Sequence, residues 1–240
     1  MSIPLAIVGC GKMGRLVEQL APEYGFAVAA RFSRPNIASL SRESLNGALI
    51  AVEFTSPSSA PGNLRRLAAL GVSSVCGTTG WYEEVPQIRE VIAASDTALV
   101  YGANFSVGVI LFLEVVARAS QLFAHHPEYE AWGWEIHHSA KKDAPSGTLK
   151  KLAEEIRQAG FTGSLTLSSN RAGAHTGTHE IGFDSPADTI TLRHTARSRE
   201  GYARGALEGA RWMVGKKGVF EFRQIVGELR RAAAVPGGST

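Results

Sequence analysis

Cysteine is scarce in this chain of 240 residues, which contains only Cys10 and Cys76. Two cysteines cannot build a disulfide framework, and without clustered partners they do not indicate a metal site. Long apolar runs are also missing, because the longest candidate, Val107 to Val116, is interrupted by Glu114 and is too short to span a bilayer. These absences argue against a disulfide-rich secreted protein and against a membrane protein.

An excess of one charge is missing too. The 25 Lys and Arg residues nearly balance the 22 Asp and Glu residues, the formal net charge is +3, and the basic residues are scattered. Such a weak bias suits small anionic ligands and gives little support to a nucleic-acid partner. Residues 1–5 lack the basic and apolar regions of a signal peptide. We therefore expect a cytoplasmic protein with no nucleic-acid or membrane partner.

A glycine loop near the N-terminus is the first motif that indicates a function. Leu5 to Val8 is a short apolar run typical of a strand buried on both faces, and residues 16–20 have helical spacing. Between them, G-x-G-x-x-G stands where a dinucleotide-binding fold places its phosphate loop, with helix amides donating to the pyrophosphate. The predicted cofactor contacts in this loop are Gly9, Cys10, Gly11, Lys12, Met13 and Gly14.

The second predicted strand, Phe26 to Ala30, is followed by the segment Arg31-Phe32-Ser33-Arg34. A site that prefers NADH usually places Asp or Glu here, on the ribose 2′-hydroxyl, whereas an arginine can accept the 2′-phosphate of NADPH. Because the acid is missing, we predict that NADPH is preferred over NADH and that Arg31 contacts the cofactor. The alternative is that these arginines are solvated loop residues.

Further apolar runs at residues 48–54, 72–75 and 98–101 alternate with helical patterns, which is typical of a Rossmann-type, doubly wound parallel sheet. Ligands of such sheets bind at the carboxyl ends of the strands, and two small turns at those ends are predicted to hold the nicotinamide. Cys10 and Cys76 lie beside the turns at these ends and fit small packing residues better than nucleophiles. The predicted contacts in the two turns are Gly77, Thr78, Thr79, Gly102, Ala103, Asn104 and Phe105.

The rest of the chain predicts a second, smaller α+β domain with a mixed or antiparallel sheet. Residues 106–124 have an apolar helical pattern, and an amphipathic helix over residues 199–215 leads back to the first domain. We predict a dinucleotide-binding domain made of residues 1–104 and 202–240, and a substrate-binding and oligomerisation domain of residues 105–201. The segments that alternate like strands are residues 128–138, 165–167, 178–183 and 189–194.

Residues 135–148, E-I-H-H-S-A-K-K-D-A-P-S-G-T, carry the most unusual chemistry of the chain. Pro145 is expected at the start of a helix, with Asp143 or Ala144 in its cap region. The amides at that helix N-terminus predict an anion site for a substrate carboxylate. The predicted substrate-binding residues there are Ser146, Gly147 and Thr148.

Two histidines and a lysine in the same stretch offer protons to a bound substrate. Successive residues of a strand point to opposite faces, so we expect the strand to end at His137 and His138, which lets both imidazoles and Lys141 serve one cavity. A polar loop without function is one alternative. A metal site is another, weakened because adjacent histidines rarely share an ion and no acidic or cysteine partner has ligand spacing. We expect no metal.

Together these motifs resemble the 4-hydroxy-tetrahydrodipicolinate reductase family, also called the dihydrodipicolinate reductases, of the diaminopimelate and lysine pathway. Residues 135–148 match the family pattern E-x-H-H-x-x-K-x-D-A-P-S-G-T throughout. The likeness extends over nearly the whole chain. Other matching segments are the glycine loop through Arg15, Phe54-Thr55-x-Pro57, and residues 77–80, 104–108, 171–173, 177–180 and 194–199.

The resemblance implies a hydride transfer from NADPH or NADH to the ring of 4-hydroxy-2,3,4,5-tetrahydrodipicolinate, with loss of water, to give 2,3,4,5-tetrahydrodipicolinate. His137 falls on the family's acid/base histidine and Lys141 on its proton-donating lysine. His138, Gly147 and Thr148 fall on substrate-binding positions, and the glycine loop and both later turns fall on cofactor-binding ones. The family also implies a homotetramer that assembles through the open face of the second domain's sheet.

The chain departs from the family pattern at several points. Its glycine loop is one residue shorter than the G-x-x-G-x-x-G of many members, Glu53 stands where aspartate is more common, and a deficit of residues falls between Ile156 and Arg171. None of these departures touches residues 135–148. Two other functions stay open: a different two-domain dehydrogenase of an amino or imino acid, and a non-catalytic regulator that senses nicotinamide nucleotides.

Overall fold

The computed structural model describes residues 2–233, and the chain divides into two compact units. The first unit runs to Val107 and resumes at Glu200, and the second comprises Gly108–Arg199. Among the described residues, no helix is both long and apolar enough to cross a membrane. Residues 234–240, the end of the predicted first domain, lie outside the described part of the chain.

Within residues 2–233, strands alternate with helices along most of the first unit. In the second unit, three strands follow one another without a helix between them. The strands are β1 Ile3–Val8, β2 Phe26–Phe32, β3 Ile50–Glu53, β4 Ser73–Cys76, β5 Ala98–Tyr101, β6 Glu130–His137, β7 Leu165–Arg171, β8 Thr178–Asp184, β9 Thr189–Thr195 and β10 Gly218–Glu221. The helices are α1 Lys12–Leu20, α2 Ala60–Ala69, α3 Val85–Ser95, α4 Val107–Phe123, α5 Gly147–Gln158, α6 Glu200–Trp212 and α7 Phe222–Ala233.

The first unit contains a parallel sheet of order β10-β5-β4-β3-β1-β2. β3 is buried along its whole length and β1 along most of it, as expected for strands that have neighbours on both faces. Helices α1 and α6 pack together, as do α2 and α3, and each pair also contacts strands of the sheet. The predicted doubly wound, Rossmann-type architecture is confirmed.

Boundaries in this sheet differ from the sequence pattern in two ways. β2 continues to Phe32, because Phe32 pairs with Val8 of β1 and its side chain is buried, so Arg31 lies within a strand and not in a loop. The last strand, β10, begins directly after the turn that follows α6 and pairs with β5 at the edge of the sheet, a strand that the sequence pattern did not indicate.

The second unit contains the predicted mixed sheet, of order β7-β6-β8-β9. β6 runs parallel to β7 and antiparallel to β8, and β8 runs antiparallel to β9. Buried and half-buried residues alternate along β6 from Ala131 onward, which is the pattern of a strand with one face against the core. β6 ends at His137, as predicted from the adjacent histidines.

The register of this sheet aligns polar side chains that are distant in sequence. Glu135 of β6 lies beside Ser169 of β7 on one side and His179 of β8 on the other, and His137 lies beside Arg171. Neighbouring residues across strands project from the same face. The sheet therefore gathers these polar groups on the face that buries Glu135, His137 and His179.

Candidate functional site

The glycine loop connects β1 to α1 and lines a cavity of about 700 Å³ in the first unit. Gly9 has φ +102°, and a Cβ on Gly14 would lie 2.1 Å from the Gly9 carbonyl oxygen, so both positions require glycine. Gly11 precedes α1 without a side-chain cap, and the first turn carries no acidic residue, so its amides fit the pyrophosphate of a dinucleotide. The other predicted loop residues are half-buried Cys10 and Met13 and exposed Lys12.

The arginines of the segment after Ala30 have different surroundings. Arg31 is bound to Glu18 of α1, with its Nη2 2.6 Å from the carboxylate, and both side chains are substantially exposed. Arg34 instead lines the cavity beside the glycine loop. Arg66 also lines it, but its guanidinium donates to three backbone carbonyls of residues 37–40. Among the described residues that line this cavity, Arg34 is therefore the arginine positioned to meet an anionic group.

A buried carboxylate, Glu53, organises the turn that follows β4. Its Oε2 accepts a 2.6 Å hydrogen bond from the Thr78 hydroxyl, which itself accepts a 2.8 Å bond from the Thr55 amide. The Asn63 amide and the Thr55 hydroxyl donate to Oε1. The Thr78 hydroxyl is thus engaged within the protein, and a cofactor contact of Thr78 would have to use its backbone. Thr79 beside it is exposed.

The turn after β5 lies at the same edge of the sheet, because β4 and β5 are parallel neighbours. Asn104 Oδ1 accepts a 2.8 Å hydrogen bond from the Ser106 amide. Phe105 is buried, and its ring centroid lies 4.5 Å from that of Phe222. The remaining predicted residues of the two turns are buried Gly102, exposed Ala103 and half-buried Gly77.

The two cysteines have the packing role predicted for them. Burial raises the pKa of the Cys76 thiol well above its usual value, and the nearby Glu53 carboxylate acts in the same direction. Burial also raises the pKa of Cys10, whose Sγ lies 3.4 Å from the carbonyl oxygen of Phe32. Neither thiol is therefore disposed to form the thiolate that nucleophilic chemistry requires.

Glu135 lies at the centre of the polar cluster of the second unit and is completely buried. Its Oε1 accepts hydrogen bonds from the Ser146 amide at 2.8 Å, the Ser169 hydroxyl at 2.9 Å and Arg171 Nη2 at 2.8 Å. Its Oε2 accepts a short hydrogen bond from the Ser146 hydroxyl. Burial by itself would raise the pKa of Glu135, but these bonds outweigh burial and lower the pKa to about 2. Glu135 is therefore an anion at neutral pH.

Two imidazoles approach the same carboxylate. His179 Nε2 lies 3.3 Å and His137 Nδ1 3.6 Å from Glu135 Oε2, and the two rings meet edge to face with centroids 5.0 Å apart. Burial lowers the pKa of His179 to about 4, and the neighbouring His137 contributes to the decrease. Burial also lowers the pKa of His137, while the Glu135 charge opposes that shift. Both rings favour the neutral form near pH 7.

Lys141 and His138 lie in the loop after β6 and have other surroundings. Lys141 Nζ is bound to both Asp143 oxygens, at 2.7 and 2.9 Å, and the Lys141 amide donates to the carbonyl of His138. The His138 side chain is half-buried. The structure thus brings His137 together with Glu135, and Lys141 lies next to this group through Asp143, whose carbonyl oxygen accepts a hydrogen bond from Arg171.

The predicted start of α5 was wrong. The cap is Ser146, whose hydroxyl accepts from the Leu149 amide at 3.2 Å, while Pro145 precedes the cap and neither Asp143 nor Ala144 supplies it. The physical reason is the contact with Glu135, which binds both the amide and the hydroxyl of Ser146. That tertiary contact fixes the position of the helix N-terminus.

Three residues of this cluster have the spacing of metal ligands. Glu135, His137 and His179 each offer a ligand atom, and these atoms lie within 4.8 Å of one another. The carboxylate, however, is already bound to Ser146, Ser169 and Arg171, and the guanidinium of Arg171 would repel a cation. A hydrogen-bonded ion-pair cluster accounts for these contacts better than a metal centre.

Sequence reasoning missed several members of this cluster. Ser169, Arg171 and His179 are separated from Glu135 by more than 30 positions, so no local pattern connects them. A signal did exist for two of them, because Arg171 and His179 lie in segments that match the family pattern. Only the strand register shows that they surround Glu135.

The buried His179 predicts an acid-sensitive fold. Its folded pKa of about 4 lies below the ordinary value of 6.5, so the unfolded chain binds the extra proton first as the pH falls. The stabilisation is present above pH 6.5 and is lost as the pH falls towards 4, by about 3 kcal/mol. Urea unfolding between pH 7.5 and 4.5 should therefore show a shallower loss of stability for His179→Asn than for the wild type.

The control for this experiment is His175→Asn, which removes an exposed imidazole of the same unit. That variant should keep the wild-type dependence of stability on pH. Equal slopes for wild type and His179→Asn would contradict the assignment of the acid sensitivity to His179.

Models of one protein family match almost the whole described chain. The model described as dihydrodipicolinate reductase, N-terminus, matches residues 3–105, and that of the C-terminus matches residues 108–226. A 4-hydroxy-tetrahydrodipicolinate reductase from Thiobacillus denitrificans is 31% identical over 268 residues, covering 95% of this chain and 99% of that protein. One from Christiangramia forsetii is 28% identical over 238 residues, covering 94% and 98%.

Solved structures show a shared fold. A dipicolinate-bound dihydrodipicolinate reductase from Paenisporosarcina sp. TG-14 matches with a TM-score of 0.75 and 22% identity, covering 94% of this chain and 100% of that one. An amine dehydrogenase from Mycobacterium smegmatis matches with a TM-score of 0.62 and 11% identity, covering 93% and 96%. At these identities the structures show the architecture alone. The two family models and the relative at 31% identity show more: this chain belongs to the dihydrodipicolinate reductase family.

Proposed function

We propose that this protein reduces 4-hydroxy-2,3,4,5-tetrahydrodipicolinate to 2,3,4,5-tetrahydrodipicolinate, with NADPH or NADH as reductant. One hydride and one proton are consumed for each water that leaves, so the reaction needs a dinucleotide site and a proton donor. The observation that carries the proposal is the fold of residues 135–148, in which one buried carboxylate binds the N-terminus of α5 and faces the buried imidazole of His137. Curated relatives carry the name of this activity.

The second unit supplies the groups that bind the dicarboxylate substrate and move protons. Because the Ser146 amide is already bound to Glu135, the amides of Gly147 and Thr148 are the donors left for a substrate carboxylate. His138 and Lys141 add polar and cationic contacts from the adjoining loop. We assign proton transfer to His137 and Lys141, as the resemblance implies.

The first unit supplies the dinucleotide site. The glycine loop and the amides at the start of α1 hold the pyrophosphate, and the turns after β4 and β5 hold the nicotinamide end. When bound, the cofactor supplies the hydride. Glu53 keeps the turn after β4 in place through Thr78 and Thr55, so that the backbone there has one conformation.

We further propose that NADPH is preferred and that Arg34 contributes more to this preference than Arg31. Arg34 lines the cavity, whereas Arg31 is paired with Glu18. Arg34→Gln should raise KM for NADPH about 10-fold, as expected when one charge-assisted contact of roughly 1.5 kcal/mol is lost, and should leave KM for NADH nearly unchanged.

Arg31→Gln is the matched control, because it removes the same charge three positions away. If Arg31→Gln raises KM for NADPH more than Arg34→Gln does, the preference for NADPH depends mainly on Arg31, as predicted from the sequence. A wild-type catalytic efficiency that clearly favours NADH would reject the preference itself.

We also propose a homotetramer assembled through the face of the second sheet that carries Trp132 and Trp134. Both side chains are half-buried, and Trp132 packs so closely on Gly182 that a Cβ there would lie 2.1 Å from its ring. Large aromatic side chains on an open sheet face are common centres of interfaces. Trp134→Glu should therefore convert the tetramer into smaller species in sedimentation velocity experiments.

The control is Leu49→Glu, which places the same charge on an exposed apolar residue of the first unit. It should sediment like the wild type. A Trp134→Glu protein that remains tetrameric, or a wild type that is monomeric at micromolar concentration, would contradict this assembly.

One assay separates the proposed activity from its alternatives. Substrate generated in situ by a dihydrodipicolinate synthase is supplied with NADPH or NADH, and the loss of nucleotide absorbance is followed. Rapid oxidation supports the proposal. Oxidation only with other amino or imino acid substrates would favour a different dehydrogenase, and nucleotide binding without oxidation would favour a regulator.

A further inference from the structure

We infer that Glu135 is a positioning residue, which fixes the tautomer of His137 so that its Nε2 is the atom that exchanges protons with the substrate. This inference rests on the proposed function for its catalytic consequence, but the tautomer itself can be measured without it. Glu135 does not touch the substrate in this scheme. It acts through His137 and through the N-terminus of α5.

The Glu135 carboxylate faces one particular nitrogen of the His137 imidazole. His137 Nδ1 lies 3.6 Å from Glu135 Oε2, is buried, and has no hydrogen-bond partner among the described residues. A lone pair on Nδ1 would face a negative charge, whereas a proton there would be attracted to it. The distance is longer than a formed hydrogen bond, and such contacts of proton-transfer groups often tighten when substrate binds.

The other nitrogen of His137, Nε2, lies away from the Glu135 contact. With the proton on Nδ1, the Nε2 of the neutral ring carries the lone pair and is the basic atom. This atom lies near Gly177, where a Cβ would come within 2.9 Å of it. The charged and titratable groups around His137 come from three strands and the loop after β6. They are Glu135, Arg171, His179, Lys141 and Asp143.

The same carboxylate also contacts the N-terminus of α5. Glu135 binds the amide and hydroxyl of Ser146, and so sets where α5 begins. The same Oε2 that accepts from the Ser146 hydroxyl faces His137. A substrate carboxylate bound at the Gly147 and Thr148 amides would therefore be held at a fixed position relative to the proton-transfer nitrogen.

The substitution Glu135→Gln tests this arrangement with almost no change of shape. Three donors surround Oε1, namely the Ser146 amide, Ser169 and Arg171, so the glutamine carbonyl oxygen must take that position. Its NH₂ group then takes the position of Oε2, where its hydrogens face the Ser146 hydroxyl, His179 Nε2 and His137 Nδ1, and no negative charge remains to hold a proton on Nδ1. The proton of His137 should consequently move to Nε2.

Two readouts follow from that switch. In ¹⁵N spectra of histidine-labelled protein, with the His137→Gln spectrum used for assignment, wild-type His137 should be the Nδ1–H tautomer and Glu135→Gln the Nε2–H tautomer. In the coupled assay kcat should fall roughly 100-fold, with a smaller change in KM. Loss of the carboxylate charge should also lower the pKa of His137 and shift the part of the pH profile that this residue controls to lower pH.

Glu154→Gln, which neutralises an exposed carboxylate on α5, is the control and should match the wild type in every readout. The inference is overturned if wild-type His137 is the Nε2–H tautomer, a result that needs no variant to fold. It is also overturned if Glu135→Gln keeps the wild-type tautomer, even when its activity falls, because a purely structural role would then suffice. An inactive wild type with the expected tautomer would contradict the proposed function alone.

Discussion

Replacing His137 by glutamine is expected to lower kcat/KM by a factor of about 10² to 10⁴, the usual contribution of a positioned proton-transfer group. Glutamine fills a similar volume beside Glu135 and His179, but its amide cannot carry the proton at neutral pH. The loss should therefore be in chemistry and not in folding. Initial rates of NADPH oxidation with substrate generated in situ give kcat/KM directly.

The control for this prediction is His175→Gln, which alters an exposed histidine of the same unit and should stay within about twofold of the wild type. NADPH affinity, measured by fluorescence titration, should be unchanged in His137→Gln, because the glycine loop belongs to the first unit. Wild-type turnover in His137→Gln would remove this residue from the mechanism.

Replacing Glu135 by alanine is expected to destabilise the protein by about 3–5 kcal/mol, the typical result of removing one partner from a buried ion pair. Arg171 would keep its charge in a largely buried position, and the Ser146 amide and the Ser169 hydroxyl would lose their acceptor. The start of α5 would also lose its anchor. Urea unfolding at pH 7.5 and constant protein concentration measures the change.

Glu154→Ala is the matched control, since it removes a carboxylate whose partner, Lys151, is exposed. It should cost less than about 1 kcal/mol. If the two alanine variants unfold at the same urea concentration, the buried hydrogen bonds of Glu135 do not stabilise the fold as argued. A Glu135→Leu/Arg171→Met protein should recover part of the loss, because neither charge is then left unpaired.

Local sequence patterns predicted most of the fold. The apolar runs of β1, β3 and β5 identified strands buried on both faces, and the alternation along β6 identified a strand with one buried face. Hydrophobic periodicity is a property of neighbouring residues, so it can be recognised without knowledge of the tertiary structure. β6 also ends at the histidine pair as predicted, but that prediction came from the expectation that both imidazoles serve one cavity and not from periodicity.

The errors came from contacts between distant elements. The start of α5 was misplaced because Ser146 is held by Glu135 of β6, and Pro145 gave a misleading local signal. The second strand was predicted to end at Ala30, but β2 continues to Phe32 because Phe32 pairs with Val8 of β1. In both cases a partner many positions away decided the outcome.

The sequence by itself determined the Rossmann-type sheet, the glycine loop, and the presence of His137 and a helix N-terminus within one short segment. Glycine conformations and strand periodicity depend on local sterics, which every chain with these residues obeys. Only the tertiary structure decided that Glu135 lies among Ser146, Ser169, Arg171 and His179. That arrangement depends on sheet order and strand register. These bring together residues that are too far apart in sequence to form a periodic pattern.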